Sequence, residues 1–241
     1  MTATLTDLVP APARLPPGRR VYAVGDVHGC LAQLVTLHAA IAADLAAHPV
    51  AMPLLLHIGD YVDRGPDTAG VIERLRHGPP IAGVPTVNLK GNHEQTMIEA
   101  LAGDRAAGTD WLFHGGKPAL ASYGIDPEGP RAAWRAAVPE SHLAFLNGLA
   151  MMHREGGYLF AHAGIRPGIR LEDQAPEDLL RIRQPFLFTE QELGVVVVHG
   201  HTPVKTPVVR RNRIGIDTGA VFGGHLTCVV LEGATLRFLT A

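Results

Sequence analysis

The stretch VYAVGDVHGCLAQLVTLHAAIAADL, residues 21–45, decides the fold of this chain. Its first four residues, 21–24, are apolar and typical of a short buried strand. The polar turn GDVHG (25–29) follows, and apolar residues then recur at helical spacing, at Leu31, Leu34, Leu37, Ile41 and Leu45. A strand, a sharp turn and a helix in this order predict the repeating unit of an α/β protein.

The same alternation continues through the first hundred residues. Helices are predicted at 67–77 and from Glu94 onward, each after a short apolar run. Together with the first stretch, these segments predict a mostly parallel sheet covered by helices. Further strands are predicted at 54–58, 86–89, 158–161 and 195–198, and antiparallel strands at about 208–239.

Two parts of the chain depart from this rhythm. Residues 1–19 are rich in proline and are expected to form a flexible N-terminal tail before a single domain at 20–241. Residues 104–148 contain both tryptophans, with several glycines and prolines, and are expected to form a helical insertion that caps the domain. Because no apolar run reaches the ~20 residues that span a bilayer and no signal peptide is evident, we expect a cytoplasmic protein without a membrane partner.

Composition excludes some classes of function. Lysine and arginine total 21 against 23 acidic residues, a net charge of −2, so the basic excess of a nucleic-acid-binding protein is absent. The two cysteines, Cys30 and Cys228, are too few for a disulfide framework or a thiolate zinc site. Cys30 is expected to pack at a helix start. The 13 histidines indicate metal or acid–base chemistry.

Five polar blocks stand at or just beyond the predicted strands. They are GDVHG (25–29), GDYVDRG (59–65), GNHE (91–94), HAG (162–164) and HGHT (199–202). In open α/β sheets the ligand crevice lies at the carboxyl ends of the strands. We therefore expect one edge to collect the side chains of Asp26, His28, Asp60, Asn92, His162 and His201.

These six side chains predict a metal site with two ions. Carboxylate, imidazole and amide oxygen together suit Mn²⁺, Fe²⁺ or Zn²⁺. Six ligands are too many for one site that also keeps open positions for water, but they suit two ions sharing a bridging carboxylate. Two ions ~3.5–4 Å apart can hold the attacking and leaving oxygens of a phosphoryl displacement.

The order of the five blocks resembles the calcineurin-like metallophosphoesterases, and within them the PPP-type phosphatases. The serine/threonine protein phosphatases of bacteria and phages are the most similar, also in the stretches 92–101 and 216–234. The resemblance covers about residues 20–239. It implies an α/β fold in which a central β-sandwich is flanked by helices.

The resemblance implies a role for each matching metal ligand. Asp60 matches the bridging carboxylate, and Asn92 is expected to contact the substrate phosphate as well as a metal. The remaining ligands implied are Asp26 and His28 for the first ion, and Asn92, His162 and His201 for the second.

The resemblance also implies the groups that act on the substrate. His93 matches the general acid, and Asp63 matches the carboxylate that orients it. Arg64 matches a phosphate clamp, because guanidinium fits phosphate oxygens bidentately. Arg183 matches a second clamp more loosely, and Arg181 competes for that role.

The implied activity is hydrolysis of phosphomonoesters by a metal-bridging hydroxide, with phosphoserine and phosphothreonine in proteins as substrates. Two divalent ions are the implied cofactors, with Mn²⁺ favoured over Fe or Zn. A symmetrical diadenosine tetraphosphate hydrolase is the first alternative, since those enzymes share most of the blocks. An inactive phosphoprotein-binding module is the second, but a pure binder would not need His93 as a proton donor.

Three other residues near the blocks are interpreted as packing residues. His57 precedes the second block and is expected to pack within its strand. His199 lies two residues before His201, but the matching motif uses the histidine of GHT. Trp111 is expected in the core of the cap, although that cap can still line a substrate groove.

Overall fold

A computed structural model of the chain describes residues 2–241. Twelve β-strands in this range form two sheets. In chain order the strands are β1 (Thr4–Leu5), β2 (Val9–Pro10), β3 (Arg19–Val24), β4 (Met52–His57), β5 (Thr86–Asn88), β6 (Met152–Glu155), β7 (Tyr158–Ala161), β8 (Val196–His199), β9 (Val208–Val209), β10 (Arg213–Gly215), β11 (Thr227–Glu232) and β12 (Thr235–Thr240).

Eight α-helices lie in the same described range, and none of them combines the length and apolar composition needed to cross a membrane. Short 3₁₀ segments lie at Arg131–Ala133, Leu171–Asp173 and Ala220–Phe222, and a π-helical turn at Leu112–Gly116. The α-helices are α1 (Leu31–Ala47), α2 (Thr68–Arg76), α3 (Asn92–Leu101), α4 (Arg105–Trp111), α5 (Lys117–Ser122), α6 (Trp134–Ala137), α7 (Glu140–Asn147) and α8 (Pro176–Arg181).

The two sheets form a sandwich with helices outside it. The larger sheet has the order β1-β12-β11-β3-β4-β5, with β2 also paired to β12, and the smaller has the order β6-β7-β8-β10-β9. Parallel pairing joins β3 to β4 and β4 to β5, and it joins β8 to both β7 and β10. The fold class is as predicted, but both sheets are mixed, because β11 pairs antiparallel with β3 in the larger sheet and β6 with β7 in the smaller one.

Alternation along β3 shows how the sequence creates two separate cores. Val21 and Ala23 point into the core between the sheets, where they meet residues such as Phe160 and Val198. Tyr22 and Val24 point to the opposite face, into the core formed with α1, α2 and the helices of the insertion. Successive strand residues face opposite sides of a sheet, so an unbroken apolar strand is buried on both faces.

Residues 2–19 pack against the rest of the chain, whereas a flexible tail was expected for the N-terminal segment. The short strands β1 and β2 pair antiparallel with β12. Leu15 is buried in the core between the sheets, and the Tyr158 hydroxyl donates a hydrogen bond to the carbonyl of Ala13. An edge strand such as β12 exposes unpaired backbone groups, and covering them with another strand satisfies those groups.

The strand ends that precede the five polar blocks come from both sheets. β3, β4 and β5 belong to the larger sheet, and β7 and β8 belong to the smaller one. The sequence predicts a single sheet edge, whereas the structure draws three strand ends from one sheet and two from the other. Two facing sheets supply ligands from opposite sides, which a single edge does not.

Candidate metal and catalytic site

The backbone of the blocks adopts a conformation that L-residues rarely use. Among residues 2–241, the non-glycine residues with positive φ are His28, Asp60, Asp63, Arg64 and His201, with φ between 43° and 72°. This region is disfavoured because Cβ approaches the backbone carbonyl. Such strain clusters at functional sites, where surrounding contacts enforce it. All five residues belong to the predicted site.

Two glycines let carboxylates approach the backbone of neighbouring blocks. A Cβ added at Gly91 would overlap Oδ1 of Asp60, and a Cβ added at Gly200 would overlap Oδ1 of Asp26. Any larger residue would therefore displace these carboxylates. The glycines of GNHE and HGHT are needed for both acids to hold their positions.

Asp60 lies at the centre of the site. Its Oδ2 is 3.5 Å from Nε2 of His28 on one side and 3.4 Å from Nε2 of His162 on the other. Asp60, His28 and His93 form one group of potential ligand atoms, all within 4.8 Å of one another, and Asp60, His162 and His201 form a second. Asp60 belongs to both groups, as a bridging ligand must.

The second group brings several electron-pair donors close together. The Nδ1–H of His162 donates to the carbonyl of Ile58, and Nε2 of the same ring lies 3.0 Å from Oδ1 of Asn92. Oδ2 of Asp60 approaches the same nitrogen. Buried electron-pair donors at this separation need a proton or a cation among them. Mixed nitrogen and oxygen donors fit a divalent transition-metal ion.

The pKa values of the two histidines beside Asp60 are shifted in opposite directions. Burial lowers the pKa of His162, but the charges of Asp60 and Asp26 outweigh burial and raise that pKa to about 9. Burial lowers the pKa of His28 to about 3, and its Nδ1–H donates to the carbonyl of Val62 at 2.8 Å. Neutral His28 therefore presents its Nε2 lone pair to the site, as a metal ligand does.

His93, a member of the first group, forms a buried pair with Asp63. The Nδ1–H of His93 donates to Oδ2 of Asp63 at 2.6 Å, which leaves Nε2 as the nitrogen available to the site. Burial lowers the pKa of His93, but the carboxylates of Asp60 and Asp63 outweigh burial and raise it above its ordinary value. A raised pKa favours the protonated imidazole near neutral pH, as a general acid requires.

A cavity of about 250 Å³ opens over this cluster, and three arginines line it. Nη1 of Arg64 lies 2.6 Å from Nε2 of His28, and its guanidinium lies over the ring of Phe222. Arg181 donates a hydrogen bond to the hydroxyl of Thr96 at 2.9 Å, and Arg183 is exposed. Planar guanidinium groups around an open cavity suit a phosphate group.

The family model for calcineurin-like phosphoesterases matches residues 19–228, a range that contains all five polar blocks. The chain belongs to the calcineurin-like phosphoesterase family. It is a metal-dependent phosphoric ester hydrolase, and the resemblance drawn from the blocks is confirmed.

Two curated relatives extend over most of the phosphoesterase. Serine/threonine-protein phosphatase 1 of Salmonella typhimurium is 29% identical over 234 residues, covering 89% of this chain and 93% of its own. The asymmetrical bis(5'-nucleosyl)-tetraphosphatase PrpE of Halalkalibacterium halodurans is 27% identical over 226 residues, covering 86% of this chain and 87% of its own.

Solved structures share the fold of the phosphoesterase at low sequence identity. A proposed diadenosine tetraphosphatase superposes with a TM-score of 0.67 at 22% identity, covering 95% of this chain and 98% of its own. A cold-active protein tyrosine phosphatase of a Shewanella species superposes with a TM-score of 0.59 at 18% identity, covering 93% of this chain and 80% of its own.

Asp26 lies close enough to the second group for its charge to raise the pKa of His162, but neither group of potential ligand atoms found within residues 2–241 includes it. Its Oδ2 instead accepts the backbone N–H of His201 at 3.0 Å. Burial, and then the nearby Asp217, raise the pKa of Asp26 well above its usual range. Asp217 is not singled out from the sequence, since a lone aspartate before Thr-Gly is typical of a turn.

The histidines interpreted as packing residues lie outside both groups. His57 is buried in β4, with its Nε2 2.8 Å from Nε2 of His38 and its Nδ1 2.8 Å from Oδ1 of Asn88. The ring of His199 packs edge-on against Phe186, with centroids 5.0 Å apart. Buried imidazoles with complete hydrogen bonds need no metal.

The insertion contributes cavity residues that the sequence analysis did not identify. Asp110 and His114 both line the cavity, and Oδ1 of Asp110 is 3.0 Å from Nδ1 of His114. Their spacing of four residues is the ordinary spacing of a surface ion pair on a helix. Nothing in that pattern distinguishes a cavity wall from a solvated helix face.

Glu94 supports the site from beneath the loop that carries Asp60. Its side chain is fully buried, and Oε2 accepts the backbone N–H groups of Asp60 and Gly91 at 2.8 and 2.7 Å. Oε1 accepts those of Tyr61 and Val62 at 2.7 and 3.2 Å. Burial and the charge of Asp60 raise the pKa of Glu94 to about 7, while the N–H donors oppose this rise. One carboxylate therefore organises four backbone groups.

We expect Glu94→Gln to destabilise the protein by at least about 2 kcal/mol, because the new amide NH₂ would face two buried N–H groups and leave them unpaired. Urea denaturation in the presence of a chelator measures this loss without a contribution from metals. Glu99→Gln, at an exposed position of α3, is the matched control and should change stability by less than about 0.5 kcal/mol. Equal losses in the two variants would contradict the role of Glu94.

Proposed function

We propose that this phosphoesterase is a dinuclear-metal phosphomonoester hydrolase whose substrates are phosphoserine and phosphothreonine residues of proteins. The observation that carries this proposal is that Asp60 belongs to two groups of potential ligands, beside the His93–Asp63 pair. Mn²⁺ is the favoured metal. The residues that would hold the two ions are Asp26, His28, Asp60, Asn92, His162 and His201.

The chain's own residues divide the remaining work. Bound divalent ions supply positive charge for the phosphoryl oxygens and make water a usable nucleophile near neutral pH. Arg64, which lines the same cavity, binds the non-bridging phosphate oxygens. His93 gives its proton to the departing serine or threonine oxygen, and Asp63 holds the imidazole in the required tautomer.

Two observations support a protein substrate. The cavity of about 250 Å³ is smaller than the ~300–1,000 Å³ of typical small-molecule pockets, so much of a large substrate would lie outside it. The relative named serine/threonine-protein phosphatase 1 aligns along nearly the whole chain. A phosphorylated side chain on an extended peptide satisfies both constraints.

A panel of substrates tests the proposal directly. Phosphoserine and phosphothreonine peptides, a dinucleoside tetraphosphate and an aryl phosphate are compared at equal enzyme concentration, with Mn²⁺, Mg²⁺ or a chelator. We expect the phosphopeptides to have the highest kcat/KM with Mn²⁺, because Mg²⁺ accepts imidazole ligands poorly, and no turnover with the chelator. Turnover that survives complete metal removal contradicts the proposal, and so does binding of phosphopeptide without turnover under every metal.

The second candidate function is hydrolysis of dinucleoside tetraphosphates. It is favoured by the three arginines around the cavity, more than one phosphate group requires, and by the relative named asymmetrical bis(5'-nucleosyl)-tetraphosphatase. The alternative implied by the sequence is symmetrical cleavage, whereas this relative is named asymmetrical, so the products must be identified. A higher kcat/KM for the tetraphosphate than for any phosphopeptide would replace the first proposal with this one.

The second phosphate clamp is expected to be Arg183 and not Arg181. Arg181 is engaged by the hydroxyl of Thr96 and lies 3.3 Å from a carboxylate oxygen of Glu177, whereas Arg183 has an exposed side chain at the cavity. Losing a hydrogen bond to a charged group costs about 1.5–3 kcal/mol, so Arg183→Ala should raise KM by about tenfold or more. Steady-state kinetics with the matched variant Arg181→Ala measure the difference. A larger KM change in Arg181→Ala would move the clamp to that residue.

A further inference from the structure

The helical insertion touches the segment Asp63–Arg64 at two points. The indole Nε1–H of Trp111 donates to Oδ1 of Asp63 at 2.7 Å. The backbone N–H of Arg64 donates to the carbonyl of Gly115 at 2.8 Å. Both insertion residues belong to WLFHGG (111–116), which spans the end of α4 and the π-helical turn. Gly115 has non-helical dihedral angles, so the chain kinks within this turn.

We propose that Trp111 is a positioning residue for the proton donor, and that through it the insertion sets the orientation of the His93–Asp63 pair. This inference rests on the proposed function of His93 as general acid. Each oxygen of Asp63 has its own donor, Trp111 on Oδ1 and His93 on Oδ2. Two donors in fixed positions determine the rotation of a carboxylate, and the carboxylate in turn determines the plane of the imidazole.

The indole is held firmly enough to perform this role. Trp111 is fully buried and packs edge-on against Trp134, with ring centroids 5.5 Å apart. On its other side it contacts Gly116, where an added Cβ would lie 2.7 Å from the indole ring. Close packing on both faces leaves the ring few alternative rotamers. The direction of its N–H is therefore set by the fold of the insertion.

The second contact extends the same role to the phosphate clamp. Arg64 has a φ of 66°, a conformation that an arginine adopts only when its surroundings enforce it. The Gly115 carbonyl accepts the Arg64 N–H, and Gly115 itself has a φ of 116°, in a region that favours glycine. The segment WLFHGG therefore contacts both the residue that orients His93 and the backbone of Arg64.

The test compares Trp111→Phe with Tyr123→Phe, which removes the hydrogen bond between the Tyr123 hydroxyl and Nδ1 of His142 elsewhere in the insertion. Trp111→Phe should lower kcat for a phosphoserine peptide by about tenfold or more, as expected for losing a hydrogen bond to a charged group, and leave KM nearly unchanged. Hydrolysis of an activated aryl phosphate should fall much less, because its leaving group needs little protonation. Tyr123→Phe should leave both rates nearly unchanged. Equal losses for the two variants, or for the two substrates, would overturn the inference.

A double-mutant cycle separates this inference from the proposed function of His93. In a His93→Ala background, Trp111→Phe should cause no further loss of phosphopeptide hydrolysis, because its effect acts through the missing imidazole. A full further loss would overturn the inference while leaving the function of His93 intact. The proposed function is tested separately in the single variant His93→Ala. Equal losses of kcat with the phosphoserine peptide and the aryl phosphate would contradict it.

A measurement without turnover keeps the inference testable if a variant folds poorly. The chain has two tryptophans, so its ¹H–¹⁵N spectrum should contain two indole N–H resonances. Within residues 2–241, the buried Nε1 of Trp134 has no hydrogen-bond partner, whereas that of Trp111 donates to a carboxylate. Asp63→Asn should therefore move only the more downfield resonance, which Trp111→Phe identifies by removing it. An unchanged resonance in Asp63→Asn would overturn the inference.

Discussion

His93→Ala is expected to lower kcat for a phosphoserine peptide by about 10²–10⁴-fold, the range that general acid catalysis typically contributes. A serine alkoxide is a very poor leaving group, and the raised pKa of His93 keeps a proton available for it. A nitrophenolate leaves readily without a proton. The loss with an activated aryl phosphate should therefore be far smaller, and the ratio of the two losses is the quantity to measure.

Metal content must be measured together with these rates. His93 shares the first group of potential ligand atoms with His28 and Asp60, so its removal could also affect an ion. We expect near-normal metal content, because Nδ1 is engaged by Asp63 and Nε2 is assigned to the substrate. Asp63→Asn is the milder control and should show the same selectivity between substrates. Equal losses on both substrates with metals retained would remove His93 from the role of proton donor.

Asp60→Asn is expected to lower both metal content and turnover. Oδ2 of Asp60 lies between Nε2 of His28 and Nε2 of His162, so its substitution affects both groups at once. Loss of a residue that only hydrogen-bonds to a metal ligand already weakens metal binding by about 10–100-fold. Loss of a ligand shared by two ions should weaken it further. Elemental analysis after gel filtration, combined with rates for the phosphopeptide, measures both effects.

His201→Ala is the matched control for Asp60→Asn. His201 belongs to only one of the two groups of potential ligands, so its loss should reduce metal content by about one ion per chain. The difference between these variants tests the sharing of Asp60, independently of the substrate. Two tightly held ions in Asp60→Asn would show that Asp60 does not bridge.

Local patterns in the sequence were sufficient for the sheet-forming strands and the turns after them. The predicted strand at 21–24 corresponds to β3 and the predicted strand at 158–161 to β7. Residues 21–24 and 158–161 are buried throughout, because both faces of a sandwich strand are covered. Within the polar blocks, the GD, GN and GH pairs stand just after strands, since glycine beside a short polar residue is needed where the chain turns sharply.

Contacts between distant segments could not be predicted in the same way. The pairing of β1 and β2 with β12 joins the two ends of the chain, and no local pattern in residues 1–19 identifies that partner. Glu94 stands in a recognisable block, yet its four backbone partners come from that block and from the neighbouring GDYVDRG. Spacing along the chain carries no information about such partners.

The sequence by itself determined which residue types reach the site, because each polar block follows directly on a buried strand. Only the tertiary structure decided how they combine. Asp60 lies between His28 and His162. Asp26 accepts a backbone N–H, and the indole of Trp111 donates to Asp63. The physical reason is that a strand end positions its own side chain through local backbone geometry. The partner of that side chain depends on how two sheets and an insertion pack together, over separations such as the 48 residues between Asp63 and Trp111.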